Sequence, residues 1–497
     1  MATIDADKNV DKVVCVKSET VSAIRENNSV IQELLTQSKY KTHHKVYGIK
    51  INKTDSNPAT RITYIEDCEN FTPAKIVIDT NGVTTGFDYG SWRDVWFVKN
   101  NYPCILGYDG KEICQLDPND YTKDIDGNTV DISSTSVAGN VMSCIPRVWV
   151  KFDEDSDYEY IYISKDKIDD DYEAIAHTLS DGTVVDKIYL SIYIGSQPDS
   201  NTAKLRSLSG YYPAMSKTVQ QNVDMAQENN PAAAKAERAQ ASDGTCDGWY
   251  TWTWGQYMLL TALLLIMGRS DDSQTTFGSG VCNTYVGNSS VAYGMQKGGA
   301  VHSDYTATYG TTTNTLGQFW GTNDYKNHVK VFHIEDMWGN QAKRIAGLLS
   351  NSGQLWAKFH GPYVVSTTAT TQDAIATELA SEGYTHVKSI AASDGFSAGD
   401  YIDITSDQDM YATHTKTTKF GRFPISAEAI NGVGGSASTY TCDCMYWYTI
   451  PFGYAMNCST YLCPDKERSL GFSCIDLRLT TKSYDKAFHN GVSISYI

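Results

Sequence analysis

The chain has 497 residues, of which 41% are hydrophobic and 20% charged, and carries a formal net charge of −17. This is enough apolar material for a real core and too little charge for a disordered chain. So acidic a body is a poor partner for phosphate backbones or anionic membranes, where binding needs Lys and Arg, and no nucleic-acid partner is expected. At about 150 residues per domain the length suggests about three domains. The opening MATIDADKNVDK has no apolar core, so no secretory signal peptide is expected and synthesis in a cytoplasm is. The longest apolar run, Tyr257 to Met267, is broken by Thr261 and falls short of the ~18 residues that membrane insertion requires.

Residues 12 to 38 show helical periodicity. Val14, Val21, Asn28 and Leu35 recur every heptad, with Lys17, Ile24 and Ile31 between them, which is an a/d pattern. The stripe predicts a short coiled coil in which Val21, Ile24, Asn28, Ile31 and Leu35 form the oligomer seam. Ile at d positions leans toward three or more strands, and a lone Asn at a sets register. An amphipathic helix packed on its own domain is the alternative reading.

After Tyr40 the pattern becomes extended. Strands are expected at Val46 to Ile51, Arg61 to Ile65, Val95 to Val98, Cys104 to Tyr108 and Glu112 to Leu116. A hairpin should pair Val148 to Phe152 with Tyr158 to Ile163, followed by a long strand from Val184 to Ile194. Helices follow: one opened by Asn230 and Pro231, and a buried one over Trp254 to Met267. Residues 270 to 327 are Gly-, Ser-, Thr- and Tyr-rich and suggest ordered loops. Further strands are expected at Val329 to Ile334, Leu355 to Phe359, Tyr440 to Tyr448, Leu470 to Asp476 and Val492 to Tyr496, with a helix at Thr371 to Glu382. The fold class is α+β, divided as 1–40, 41–145 and 146–497, with an insertion at about 366–412.

No catalytic motif emerges: there is no nucleophile elbow, zinc-protease helix, P-loop or dinucleotide fingerprint. His333, Glu335 and Asp336 resemble an acid/base cluster, but a structural junction explains them more simply. Asp153 to Asp157 imitates a calcium loop, yet Tyr158 and Ser164 stand where Gly and Glu are required, so a solvated turn is expected. The 12 cysteines contain no C-x-x-C pair. Cys442, Cys444, Cys458 and Cys463 could form a metal site, but buried thiols are the better account, and no cofactor or metal is expected.

Aromatic residues are prominent, with 33 Tyr, 10 Trp and 14 Phe. Tyr combines large contact area with few torsions, and small polar neighbours adapt their hydrogen bonds. Trp249, Trp338 and Trp356 are assigned to the core. Trp447, Tyr448, Tyr454, Asn457 and Tyr461 are the candidate binding surface.

Several segments, in order along the chain, are familiar. They are Tyr47-Gly-Ile-Lys-Ile51, Ser56-Asn-Pro-Ala-Thr-Arg-Ile-Thr-Tyr64, Pro103-Cys104 and Leu116-Asp-Pro-Asn119. Further along come Val141-Met-Ser-Cys-Ile-Pro-Arg-Val-Trp149, Leu205-Arg-Ser-Leu-Ser-Gly210 and Ile334-Glu-Asp-Met-Trp-Gly-Asn340. With Tyr440 to Tyr448 and Gly491-Val-Ser-Ile-Ser-Tyr496, the chain resembles bacteriophage tail-fibre and receptor-binding proteins. The resemblance implies residues 1–40 for oligomerisation and virion attachment, a β-rich adaptor over 41–145 and a C-type-lectin-like domain over 146–497. It also implies that the Trp338-Gly339-Asn340 turn locks a long loop. Gly491-Val-Ser-Ile departs from the family's usual closing strand, and calcium ligands of the lectin kind are not seen. The expected protein is a non-enzymatic virion component, trimeric by its d positions, contacting other virion proteins through its N-terminus and a host surface glycan or protein. A capsid fibre, baseplate or decoration protein is the second reading, and a glycan-degrading tailspike the third; the tailspike would need two facing carboxylates.

Overall fold

The structure is a computed structural model. It describes Asn28 and residues 44–81, 84–198, 203–214, 217–232, 247–282, 296–301, 311–387, 408–411, 413–425, 435–447, 453–456, 471, 473, 475, 490–491 and 493–497. The chain divides into two compact units, Met1–Lys45 and Val46–Ile497. Of the expected oligomer seam, Asn28 is helical and exposed, while Val21, Ile24, Ile31 and Leu35 lie outside the described residues. The Val46–Ile497 unit is α+β and strand-rich.

A four-stranded antiparallel sheet is built in the order Ile62–Glu66, Val46–Asn52, Tyr158–Ser164, Trp149–Glu154. Its strands alternate because one face packs and the other meets water. Tyr47, Ile49, Ile51, Ile161 and Ile163 are buried, while Lys50, Tyr158, Tyr160 and Tyr162 alternate with them and are partly exposed. Gly48, paired with Tyr162, leaves room for that ring: a Cβ there would lie 2.8 Å from Tyr162 Cδ1. The acidic run sits in the hairpin turn of this sheet, where Asp155 Oδ1 accepts from Asp157 N and Tyr158 N, both at 2.8 Å.

The second sheet has seven strands. Gly139–Pro146 lies between Tyr102–Gly107 and Lys187–Ser191, all antiparallel. The boundary expected at 145/146 therefore falls within one strand of a sheet that draws on both sides of it. Ser495–Tyr496, from the far end of the chain, inserts between Lys187–Ser191 and Trp249–Tyr250. Gly110 (φ +77°) abuts this terminal strand, and a Cβ there would collide with the Tyr496 hydroxyl.

The helix Trp254–Gly268, with all 15 residues buried, packs against the Val46–Asn52 strand of the four-stranded sheet and against the Ala342–Asn351 strand. Such a helix needs no polar face because protein surrounds it on every side. Thr253 and Gln256 form a reciprocal capping box, and Arg269 closes the helix in the left-handed region. Neighbours seal its ends: Tyr64 Oη and Ala74 N donate to Met267 O, and Trp254 Nε1 donates to Phe420 O at 2.8 Å.

The hairpin His414–Thr418/Gly421–Ile425 is tied to the four-stranded sheet by buried charge. Glu159 accepts from Arg422 Nε at 3.1 Å, from Thr417 Oγ1 at 2.7 Å and from Thr415 Oγ1. Arg422 also clasps both oxygens of Asp271, and Oδ2 lies 3.4 Å from Arg61 Nη1 as well. Burial alone raises the Glu159 carboxyl pKa; Arg422 and the threonine hydroxyls outweigh it and hold the group below the usual range. Next to this cluster Glu154 pairs with Lys53 at 3.1 Å and accepts from Thr417 N.

Several elements differ from the sequence-based expectation. Val95 to Val98 is not a strand: Trp96–Lys99 forms a short helix whose Phe97 and Val98 are buried. A short apolar run does not distinguish the two, and packing decides. Val219–Gln227 is a helix that apolar periodicity did not reveal, although Thr218 and Gln221 form its capping box. The helix expected after Pro231 falls mostly outside the described residues. Gln372–Ser381, capped by Thr371, is helical as expected, inside the segment taken for an insertion. Val184 to Ile194 shortens to Lys187–Ser191. Val329 to Ile334 is not one strand: it folds back as Lys330–Val331 against Ile334–Glu335.

Candidate functional site

That fold-back generates the floor of a cleft lined by residues from several segments of the chain. Phe332 (φ +51°) and His333 (φ +66°) are the two central residues of the hairpin. Positive φ at both positions is the pattern of a type I′ turn, which usually employs Asn and Gly. Residues without a glycine's freedom occupy it only when their surroundings hold them. Here Ser143 Oγ donates to Phe332 O at 2.6 Å, His333 N donates to Gln318 O at 2.8 Å, and Tyr121 Oη meets His333 Nδ1 at 2.6 Å. His333 is 1% exposed. Burial, reinforced by nearby Lys330, keeps its imidazole neutral, with its pKa well below the usual histidine value.

Above this floor lies a cleft of about 760 Å³. Its walls come from the Thr84–Asp88 strand and the loop after it, from the 93–101 segment and from 315–320. Phe87 stacks on Phe319 with centroids 4.6 Å apart and planes inclined by 10°, and Tyr89 meets Phe319 edge-on at 5.6 Å. Trp320 completes the aromatic lining. The polar floor is already satisfied. Gln318 Nε2 donates to Val98 O and to Asn101 Oδ1, and Asn101 Nδ2 donates to Ser143 Oγ and Cys144 O. A floor fixed this way is preorganised, which limits the ordering cost when a ligand enters. Arg93, Asp94 and Lys99 are exposed at the rim.

Behind the floor is a buried charged cluster. His328 Nδ1 meets Asp336 Oδ2 at 2.7 Å, and Nε2 meets Lys297 O at 3.1 Å. Burial alone would lower this histidine; Asp336 and Glu335 outweigh it and raise the pKa to about 9, so the ring is an imidazolium donating from both nitrogens. Burial lowers Lys330 to about 7 against the opposing pull of Glu335, and its Nζ donates to Thr313 O at 2.6 Å. Glu335 accepts from Gly299 N at 2.9 Å and from Thr313 Oγ1. The His333, Glu335, Asp336 set is therefore divided: His333 belongs to the cleft floor, whereas Glu335 and Asp336 serve the buried cluster and the loops around it.

Asn340 (φ +57°) extends that cluster into the Trp338-Gly339-Asn340 turn. Its Nδ2 donates to Asp336 Oδ2 at 2.8 Å and to Gln296 O, its Oδ1 accepts from Gln296 N, and its backbone N–H donates to Val281 O. Trp338 is fully buried and donates from Nε1 to Gly278 O at 3.1 Å. Gly339 (φ +79°) admits no side chain, since a Cβ would lie 2.8 Å from Val281 N. The turn thus ties Val281 to Gln296 through Asn340.

Of the binding residues expected from sequence, Trp447 lies in the Cys444–Trp447 strand, paired with Gln408, and Tyr454 in Gly453–Met456, paired with Leu349. Tyr448, Asn457 and Tyr461 lie outside the described residues. The cleft residues Phe87, Tyr89, Arg93, Phe319 and Trp320 were not singled out. Their only signal was aromatic content, because the two walls are remote in sequence. Trp249, Trp338 and Trp356 are buried, as expected. Among the described residues no group of three His, Cys, Asp or Glu side chains is placed to hold a metal, and Cys442 is a buried free thiol. No helix among them is long and apolar enough to cross a membrane.

No protein-family model matches the chain, and no curated protein resembles it significantly.

Proposed function

We propose that the chain is a non-enzymatic bacteriophage virion protein, a tail fibre or receptor-binding protein, that adheres to the host surface. The observation that carries this reading is the aromatic cleft on a rigid, fully hydrogen-bonded floor. Concave sites with aromatic walls and a few convergent polar groups suit recognition. The tailspike alternative needs paired carboxylates, and Asp94 is the one carboxylate among the described residues that line this cleft. The C-type-lectin-like reading of 146–497 is part of the proposal, supported by the Trp338-Gly339-Asn340 turn, which ties Val281 to Gln296. Three copies joined through the Val21, Ile24, Asn28, Ile31 and Leu35 seam would strengthen weak single contacts by avidity. The Trp447 to Tyr461 segment belongs to the proposed adhesive surface together with the cleft.

The test is adsorption of fluorescently labelled protein to susceptible cells. Full-length protein should bind, Trp320→Ala should bind at least about tenfold less, and alanine replacements at Trp447, Tyr448, Tyr454 and Tyr461 should weaken binding further. Binding unaffected by either set would remove the proposal and favour a role docking on other virion proteins.

A further inference from the structure

We infer that the cleft binds an acidic saccharide, with Arg93 reading its carboxylate and the partly exposed Trp320 ring receiving the sugar. The inference rests on the reading of this cleft as a contact for surface ligands and names the class of ligand.

Arg93 is exposed at the rim, and its guanidinium carbon lies over the Tyr89 ring, 4.5 Å from the centroid. Tyr89 is itself held edge-on to Phe319 and to Phe87. The guanidinium is therefore positioned by an aromatic face rather than by an acid. Among the described residues it enters no ion pair, so its N–H fork is not engaged by a carboxylate of the protein. Stacking of this kind pre-orients the planar fork, which matches a carboxylate or phosphate in bidentate fashion. Lys99, on the same rim, is also exposed and enters no ion pair among the described residues. In a chain of net charge −17, two unpaired cations at one aromatic cleft are a local departure from the repulsion an anion meets elsewhere. Asp94 is the opposing charge at the rim, so the expected ligand carries isolated acid groups on a neutral frame rather than dense phosphate. Aromatic faces accept the C–H face of a pyranose, while a satisfied floor offers little to a small free anion. The cleft volume of about 760 Å³ suits a short oligosaccharide.

The test is calorimetry and tryptophan fluorescence on the full chain. The probes are a galacturonate trisaccharide and a hyaluronan tetrasaccharide, each beside its carboxyl-reduced, neutral counterpart. At least one acidic probe should bind about tenfold tighter than its neutral form, the size of one charge-assisted pair at a partly solvated site. The preference should shrink with added salt. Arg93→Gln, an exposed change, should abolish the preference while keeping residual binding, whereas Trp320→Ala should weaken both forms. Equal binding of acidic and neutral probes, no binding of either acidic probe, or a preference that survives Arg93→Gln would overturn the inference. If cell adsorption depends on Trp320 but the acidic preference is absent, the adhesion reading stands and the ligand class falls. If the preference is present and adsorption ignores the cleft, the reverse holds.

Discussion

Phe87 stacks almost face to face on Phe319, with centroids 4.6 Å apart, and this contact joins two walls that come from distant parts of the chain. Phe319 also meets Phe332 edge-on at 4.9 Å, so a single ring links the cleft wall to the strained turn beneath it. The aromatic lining and the hydrogen-bonded floor are in this way one mechanical unit.

Phe319 is 3% exposed, and its truncation removes the ring contacts with Phe87, Tyr89 and Phe332 at once. Phe319→Ala should therefore cost about 3 kcal/mol. Urea unfolding followed by tryptophan fluorescence would measure it. A midpoint within error of the native protein would mean that the wall does not rest on this ring.

The Tyr121 hydroxyl is the side-chain group that holds His333 Nδ1 in its left-handed turn. Tyr121→Phe leaves a buried imidazole nitrogen without its partner, at a cost of about 1–3 kcal/mol. His333→Gly should lose the same bond but relieve the backbone, so it should be less harmful than His333→Ala. Thermal melts of the three variants decide; the opposite order of the two His333 variants would contradict the strained-turn description.

Glu159 carries the charge lattice under the 414–425 hairpin. Glu159→Gln breaks a buried pair while leaving Arg422 and Asp271 in place, so a loss of about 3 kcal/mol is expected near neutral pH. Because the folded-state pKa of Glu159 is lowered, its contribution is present above the unfolded value of about 4.3 and is lost as pH falls through the folded one. The stability difference between native and variant protein should accordingly shrink in acid. A difference independent of pH down to about 2 would exclude an ionised Glu159 as its source.

His328 runs the other way. Its folded pKa, raised to about 9, makes its contribution complete below the unfolded value of about 6.5 and lost as pH rises through 9. Lys330 and Lys343, lowered by burial to about 7 and about 8, shift the whole-protein profile in the opposite direction over the same range. The comparison must therefore be native against His328→Gln. Their stability gap should be widest below pH 6.5 and close toward pH 9, as read by denaturant midpoints across the series. A gap that widens with pH would show that the ring is buried neutral.

Gly110→Ala would place a methyl group on the Tyr496 hydroxyl in a left-handed turn. The cost should fall on the terminal strand. Amide exchange at Ser495 and Tyr496 should accelerate more than exchange in Val46–Asn52; uniform acceleration, or none, would count against a local clash.

Elements whose residues carry their own periodicity could be derived without coordinates. The Trp254–Gly268 helix shows its burial in an apolar run interrupted by Thr261, the Tyr158–Ser164 strand its facing in alternation, and the Gln372–Ser381 helix its start at Thr371. Each signal acts over a few residues and survives in any tertiary setting. The α+β class and the structural role of Trp249, Trp338 and Trp356 follow from the same local information. Packing alone decided that Val95 to Val98 coils into a helix and that Phe332 and His333 turn back on themselves. Packing also decided that Ser495–Tyr496 closes a sheet begun at Tyr102, and that Phe87 meets Phe319. These outcomes rest on contacts between remote segments. A buried hydroxyl, a carbonyl or an aromatic face from elsewhere offsets a local preference by a few kcal/mol, and no window along the chain contains both partners.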